Sequence, residues 1–127
     1  MVRKAVCCCG ASSIEVSGEP TLNGVCHCEN CKRRTGSAFG WQAYFRDTQV
    51  IATQGDFSHH RIRGEQERSF CRLCGTTLFW KSAFMPDQTG IAAGAFIDPP
   101  LPDPSVESAP HKRARWLTLP GDLRRLP

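Results

Sequence analysis

The chain has 127 residues, of which 40% are apolar and 22% charged, and a net charge of +4. This supports one modest hydrophobic core, hence a single domain over 1–127, and argues against several domains. No run approaches the roughly 18 apolar residues of a membrane span, and the mild positive charge permits an anionic partner without demanding nucleic acid.

Ile14 and Val16 alternate with polar neighbours, which predicts a strand over Ser12–Ser17, broken by Gly18-Glu19-Pro20. Gly24-Val25-Cys26 is a second short β run. Glu29–Arg34 is polar and proline-free, which predicts one or two helical turns ended by Thr35-Gly36-Ser37. Phe39, Trp41, Ala43 and Phe45, spaced by two, give the clearest strand signal. Val50-Ile51 opens another β segment, Gly55-Asp56 a turn, and Phe57–Ile62 continues the β pattern. Glu67–Phe70 and Thr77–Trp80 flank a cysteine pair in strand–knuckle–strand order. Thr89–Phe96 reads as a buried strand. Pro99, Pro100, Pro102, Pro104 and Pro110 then predict a segment, about 98–112, that wraps the surface rather than entering a sheet. Trp116-Leu117-Thr118-Leu119 is expected to dock back on the core, with Arg124-Arg125 exposed. The class is mainly β with short helical turns.

Seven of the eight cysteines fall into clusters with metal-ligand spacing. Cys7 and Cys9 form C-x-C-G, Cys26, Cys28 and Cys31 form C-H-C-x-x-C, and Cys71 and Cys74 form C-x-x-C-G. Eight cysteines also suit disulfides in a secreted chain. Met1–Cys7 carries no signal-peptide run, so a reducing, cytoplasmic setting with thiols free for metal is expected. A closed zinc site takes four protein ligands and a catalytic one commonly takes three, so seven cysteines suggest two zinc ions. C-x-x-C reaches one ion through a tight turn, and the following glycine gives that turn its freedom. C-x-C reaches it on a strand, where Cys7 and Cys9 share a face and Cys8 turns away as a small buried or half-buried hydrophobe.

Spacing does not fix which pairs combine. The most economical partition sets Cys7, Cys9, Cys71 and Cys74 in one site and Cys26, Cys28 and Cys31 in the other. Joining Cys7 and Cys9 to Cys26 and Cys28 instead strands three ligands. A histidine that completed the three-cysteine loop would close it. His27 points away from its neighbours on extended chain, while His59, His60 and His111 remain open.

An open three-thiolate zinc suits a further thiol. A thiol of pKa near 8.5 is about 3% ionised at pH 7, and coordination raises its thiolate about 30-fold. The chemistry indicated is activation of a small thiol towards an electrophile such as an aldehyde. Lys32, Arg33 and Arg34 either meet substrate carboxylates or form a solvated turn. Thr35, Gly36 and Ser37 either line the pocket or only end the helical piece. His27 is either an acid–base group or a hydrogen-bonding support. The contrasting class is a non-catalytic zinc module for a protein or nucleic-acid partner, motivated by Lys112, Arg113, Arg115, Arg124 and Arg125.

The ordered set Cys7-x-Cys9-Gly10, Cys26-His27-Cys28-x-x-Cys31-Lys32-Arg33, Gly36-Ser37-x-Phe39, Phe70-Cys71-x-x-Cys74-Gly75-Thr76-x-Leu78-Phe79-Trp80 and Trp116-Leu117 resembles the glutathione-dependent formaldehyde-activating enzymes, a family that includes centromere protein V. The resemblance implies a mainly β, Mss4-like fold containing a zinc ribbon. It implies a structural zinc on Cys7, Cys9, Cys71 and Cys74 and a second, open zinc on Cys26, Cys28 and Cys31. It also implies a carbon–sulfur lyase-like activity that joins glutathione and formaldehyde as S-hydroxymethylglutathione.

Overall fold

The computed structural model describes residues 1–63 and 65–126. Among the described residues eleven strands form two sheets, accompanied by one short α-helix. The smaller sheet has the order β1-β2-β5, from β1 (Val2–Val6), β2 (Ser13–Ser17) and β5 (Val50–Gln54). The larger takes up β3 (Leu22–Cys26), β4 (Gly40–Arg46), β6 (Phe57–Ile62), β7 (Gln66–Cys71), β8 (Thr77–Ser82), β9 (Met85–Ala92), β10 (Val106–Ser108) and β11 (Arg124–Leu126). Its order is β11-β10-β3-β4-β9-β8-β7-β6. Among the described residues no helix is long and apolar enough to cross a membrane.

Alternation decides what each face carries. In β1 the inward residues are Arg3 and Ala5, and Val2, Lys4 and Val6 face out. Ala5, Ile14 and Val16 of the small sheet pack in one buried cluster with Ala43, Phe45, Leu78, Ile91 and Phe96. The period of two that marks Trp41, Ala43 and Phe45 is therefore the core-facing side of β4. The alternate residues Gln42 and Tyr44 face the other way. There Trp80 donates its indole N–H to the Tyr44 hydroxyl at 3.1 Å, and the two rings meet edge to face at 6.4 Å. Gly90 lies opposite both Trp80 and Tyr44 in the sheet. A Cβ on Gly90 would come within 2.6 Å of Trp80 Cε2, so the missing side chain is what lets the indole lie across the strand.

Three sequence expectations need correction. The Thr89–Phe96 strand begins earlier and ends earlier: β9 stops at Ala92, and Ala93–Ala95 turns as a 3-10 helix. The proline-rich segment does not only wrap the surface. The proline-free triplet Val106–Ser108 enters the sheet as β10, parallel to β3 on one side and to β11 on the other. Prolines exclude a strand only where they occupy it, and here they bracket it. Trp116 is 77% exposed, so the docking residue of the tail is the buried Leu123 instead. Arg124 and Arg125 are exposed, as expected, while their backbone forms β11.

Insertion of β10 buries a charge. Glu107 is 1% exposed and meets His27 Nε2 at 2.8 Å and Arg113 Nε at 2.9 Å. Burial alone would raise the Glu107 carboxyl, but Arg113 and His27 outweigh it and hold the group below its ordinary value of 4.5. A depressed carboxylate contributes stability that is fully present above its unfolded pKa and lost as pH falls through the folded one.

Two outcomes follow from this packing. Gly90→Ala should cost about 2–3 kcal/mol in urea unfolding through overpacking against Trp80; a loss under 0.5 kcal/mol would refute the tight approach. Glu107→Gln should cost about 3 kcal/mol at pH 7 by taking the buried carboxylate away from Arg113. Its deficit against the parent should shrink as pH falls below 4.5, and a deficit that does not change with pH would count against the charged clamp.

Candidate metal centres

The first centre joins two turns. After β1 the chain bends at once, and Gly10 N–H donates to Cys7 O at 3.1 Å with φ +83°. After β7 a similar turn, one residue longer, recurs, with Gly75 N–H donating to Cys71 O at 2.8 Å and φ +80°. Both positions lie in the left-handed region that favours glycine, which is why each cysteine cluster ends in one. The C-x-C pair is thus a knuckle and not a stretch of strand as expected. That bend also leaves Cys8 exposed rather than buried. Its backbone N–H donates to Thr76 Oγ1 at 3.0 Å and ties one turn to the other.

The sulfurs of Cys7, Cys9, Cys71 and Cys74 all lie within 4.8 Å of one another. Cys7 and Cys9 are 3.6 Å apart, and Cys9 and Cys71 3.8 Å. A tetrahedron with zinc–sulfur bonds of about 2.3 Å has edges of about 3.8 Å, so these atoms fit such an ion. The Ser12 backbone N–H donates to Cys7 Sγ at 3.2 Å, as backbone does to thiolate ligands. Thr76, through its hydroxyl and its backbone, lowers the Cys74 thiol to about 5. Cys9 gains from the Ala11 backbone, but burial and its thiol neighbours outweigh this and push it up to about 12.

The second centre lies where β3 runs into α1 (Glu29–Thr35). Cys26 ends the strand, Cys28 is the helix N-cap, and Cys31 sits in the helix. The Cys31 backbone N–H donates to Cys28 Sγ at 3.3 Å, so the capping bond that starts the helix also brings Cys28 up to Cys31. Gly36 closes the helix in the left-handed conformation, donating to Lys32 O at 2.7 Å. Cys26, Cys28 and Cys31 place their sulfurs within 4.8 Å of one another, and among the described residues no histidine or carboxylate joins them. Cys26 and Cys31 are buried, whereas Cys28 is half-buried and faces outward. The hydrogen bond from Cys31, helped by Cys28, lowers the Cys26 thiol to about 5, and the same contact raises Cys31. Such a set of three mutually supporting sulfurs suits a thiophilic divalent ion.

The geometry keeps the two cysteine sets apart, so the pairing of Cys7 and Cys9 with Cys26 and Cys28 is excluded. His27 is fully buried and turned onto Glu107, away from the three sulfurs. It therefore fixes the ligand loop to β10 and is no exposed acid–base group. His59 faces the opposite end of the sheet, bonded to Ser69 Oγ at 2.8 Å. The run of three cations splits. Lys32 donates to Lys112 O at 2.7 Å, and Arg33 is exposed. Arg34 turns inward, its guanidinium 4.4 Å from the Trp80 ring centre and 3.3 Å from Gln42 Oε1. Cys31 Sγ reaches the same Gln42 oxygen at 3.5 Å. Thr35 spends its hydroxyl on Cys31 O at 3.0 Å and on Phe39 O at 3.2 Å. Gly36 and Ser37 are exposed at the turn.

A cavity of about 380 Å³ opens beside Cys28, lined by Glu29, Asn30, Arg33, Ile62, Arg63 and Lys112. Arg63 and Lys112 come from parts of the chain 35 and more residues away. Neither stood out in the sequence as part of this site, because only the approach of the β6–β7 turn and of the tail brings them there. A lone arginine beside a glycine carries no signal of its own.

The chain matches the family described as glutathione-dependent formaldehyde-activating enzyme over residues 2–111. No curated protein matches it. A crystal structure of a Rhodobacter sphaeroides protein is similar to it with a TM-score of 0.61 and 23% sequence identity, over 73% of this chain and 86% of that one. At that identity the likeness concerns the fold. The two cysteine knuckles, the three-sulfur loop and a match that spans nearly the whole length make this chain a member of the glutathione-dependent formaldehyde-activating enzyme family.

Proposed function

We propose that this chain holds zinc in both cysteine centres and uses the second to join a small anionic thiol, glutathione or a relative of it, to an aldehyde such as formaldehyde. The observation that carries this reading is the half-buried Cys28 in the wall of a cavity rich in cations. In the reaction the thiol sulfur forms a bond to the carbonyl carbon, the carbon–oxygen π bond breaks, and the thiol proton ends on the former carbonyl oxygen. Zinc held by three thiolates supplies a position at which a thiol ionises near neutral pH.

The chain's own residues do the rest. Arg33, Arg63 and Lys112 present positive charge to the carboxylates of the thiol. Ile62 gives an apolar wall, and Asn30, whose Oδ1 accepts from Arg68 Nη2 at 2.8 Å, is held in place at the cavity edge. Gln42 and Arg34 cover Cys31 from the inner side, which leaves Cys28 as the face open to substrate. Holding the thiol and aldehyde together supplies the remaining rate, since orientation can replace much of the entropy of a bimolecular encounter. The setting expected is cytoplasmic.

A non-catalytic module for a protein or nucleic acid draws less support. Its motivating tail is partly committed, because Arg113 bonds Glu107 and Arg125 lies 3.9 Å from the same carboxylate.

The direct test is titration of zinc-loaded protein with glutathione and formaldehyde, with S-hydroxymethylglutathione followed by NMR. Adduct formation above the spontaneous rate supports the reading; no thiol binding and no acceleration with several thiols would overturn it. Metal analysis should find one zinc and a folded chain in Cys28→Ala. Cys74→Ala should lose zinc and melt well below the parent, because its site joins distant segments. Equal folding defects in the two variants would make both centres structural. Arg33→Ala and Arg63→Ala should each raise KM for glutathione about two- to fivefold, the scale of exposed charge pairs. An unchanged KM would remove these residues from the thiol site.

A further inference from the structure

Two arginines stand beside the second sulfur cluster without an acidic partner. Arg34 rests its guanidinium 4.4 Å from the Trp80 ring centre and donates to Gln42 Oε1 at 3.3 Å. Arg68 donates from Nε to Gln66 Oε1 at 2.7 Å and from Nη2 to Asn30 Oδ1 at 2.8 Å. Asn30 lies between Cys28 and Cys31 in the ligand loop. Arg68 is also the register partner of Trp80 on the neighbouring strand, so both arginines belong to the face of the sheet that carries this cluster. Among the described residues no carboxylate forms an ion pair with either of them.

The backbone makes room for Arg34 at Gly40. Gly40 faces Cys26 in the sheet, and a Cβ there would come within 2.8 Å of Arg34 Nη2 and 3.1 Å of Cys31 Cβ. A side chain at this point would displace the guanidinium from the sulfurs. Gln42, Gln66 and Asn30 are neutral, so two like charges are held near one another with no acid between them, which is unfavourable by itself. Burial and the neighbouring Arg34 lower the Arg68 guanidinium, and the sulfurs of Cys31 and Cys28 oppose them. The sulfur cluster is therefore the countercharge that both arginines share.

A divalent ion held by three thiolates carries one net negative charge. Two guanidiniums exceed that by one, and a single further anion brings the sum to zero. Neutral side chains would fill the same space beside Trp80 without the cost of burying charge. We propose that Arg34 and Arg68 are the countercharges of the second centre and make it select an anionic fourth ligand over a neutral one. The inference rests on the reading that this centre holds a metal ion, and it adds what its open position prefers and which residues set the preference. Neither arginine is among the residues that line the cavity beside Cys28. They are positioning residues that act through the cluster, unlike Arg33, Arg63 and Lys112, which face the thiol's own carboxylates.

The test uses the full chain loaded with cobalt in place of zinc, because the visible absorption of cobalt changes with its ligands. The probes are 2-mercaptoethanol, which has no carboxylate and ligates as an anion, and imidazole, which ligates as a neutral group. The first centre is closed by four sulfurs and should stay silent, and loss of the response in Cys28→Ala assigns it to the second. Arg34→Gln and Arg68→Gln should each weaken mercaptoethanol about three- to tenfold and change imidazole by less than about twofold. Arg34→Lys, which keeps the charge, should retain most of the affinity for mercaptoethanol. Thermal melts show whether each variant is folded, and Arg68, half-buried at the rim, supplies the comparison if Arg34→Gln unfolds. A merely structural role would move both probes together. Equal weakening of both probes, or no weakening of mercaptoethanol in the folded variants, would overturn the proposal and leave the metal reading standing. Equal cobalt absorption in the parent and in Cys28→Ala would overturn both.

Discussion

Four sulfur atoms from two turns set the frame of this molecule. Cys9 and Cys71 are 62 residues apart in sequence, yet their sulfurs are 3.8 Å apart. Closing a loop of that length costs on the order of 4 kcal/mol of chain entropy, more than the modest hydrophobic core of a short chain can spare comfortably. An ion across the two knuckles would move that cost into metal binding and fix the end of β1 to the β7–β8 hairpin. With the two turns together, the small sheet lies against the large one, and Ala5, Ile14 and Val16 pack in one cluster with Phe45 and Phe96.

Once the sheets are set, β4 divides the labour. Its residues Trp41, Ala43 and Phe45 look inward to the core, while Gln42 and Tyr44 look towards α1 and the second sulfur cluster. Arg34 lies on this second side, against Trp80 and beside Gln42 and Cys31. A cation in that place is costly to bury; burial lowers its pKa, and the sulfurs of Cys31 and Cys26 work against that. The face turned to the second sulfur cluster and the face turned to the core are thus one residue apart along a single strand.

Much of this was legible in the chain, for reasons that differ by residue. The cysteine clusters were readable because a glycine-ended knuckle is a local object, complete within five residues. The core face of β4 was readable because alternation is local too. Cys8 was misplaced because C-x-C suits both a strand and a turn, and only Gly10 in a left-handed conformation decides between them. β10 was hidden because three residues between prolines carry almost no periodicity; its place follows from a parallel partner some eighty positions earlier. Arg34 looked like part of a solvated turn because a helix of seven residues gives too few turns to show which cation faces inward. What was lost was long-range pairing, and what was kept was local geometry.

The clamp between His27 and Glu107 spans 80 residues. During synthesis at about 5–20 residues per second, the loop that carries Cys26, Cys28 and Cys31 waits about 4–16 s before the ribosome delivers its partner. Both knuckles of the first centre are complete well before then. The three-sulfur loop is thus the first cysteine set to be made and the last to gain its tertiary anchor. That loop is clamped to β10 only after Glu107 has emerged.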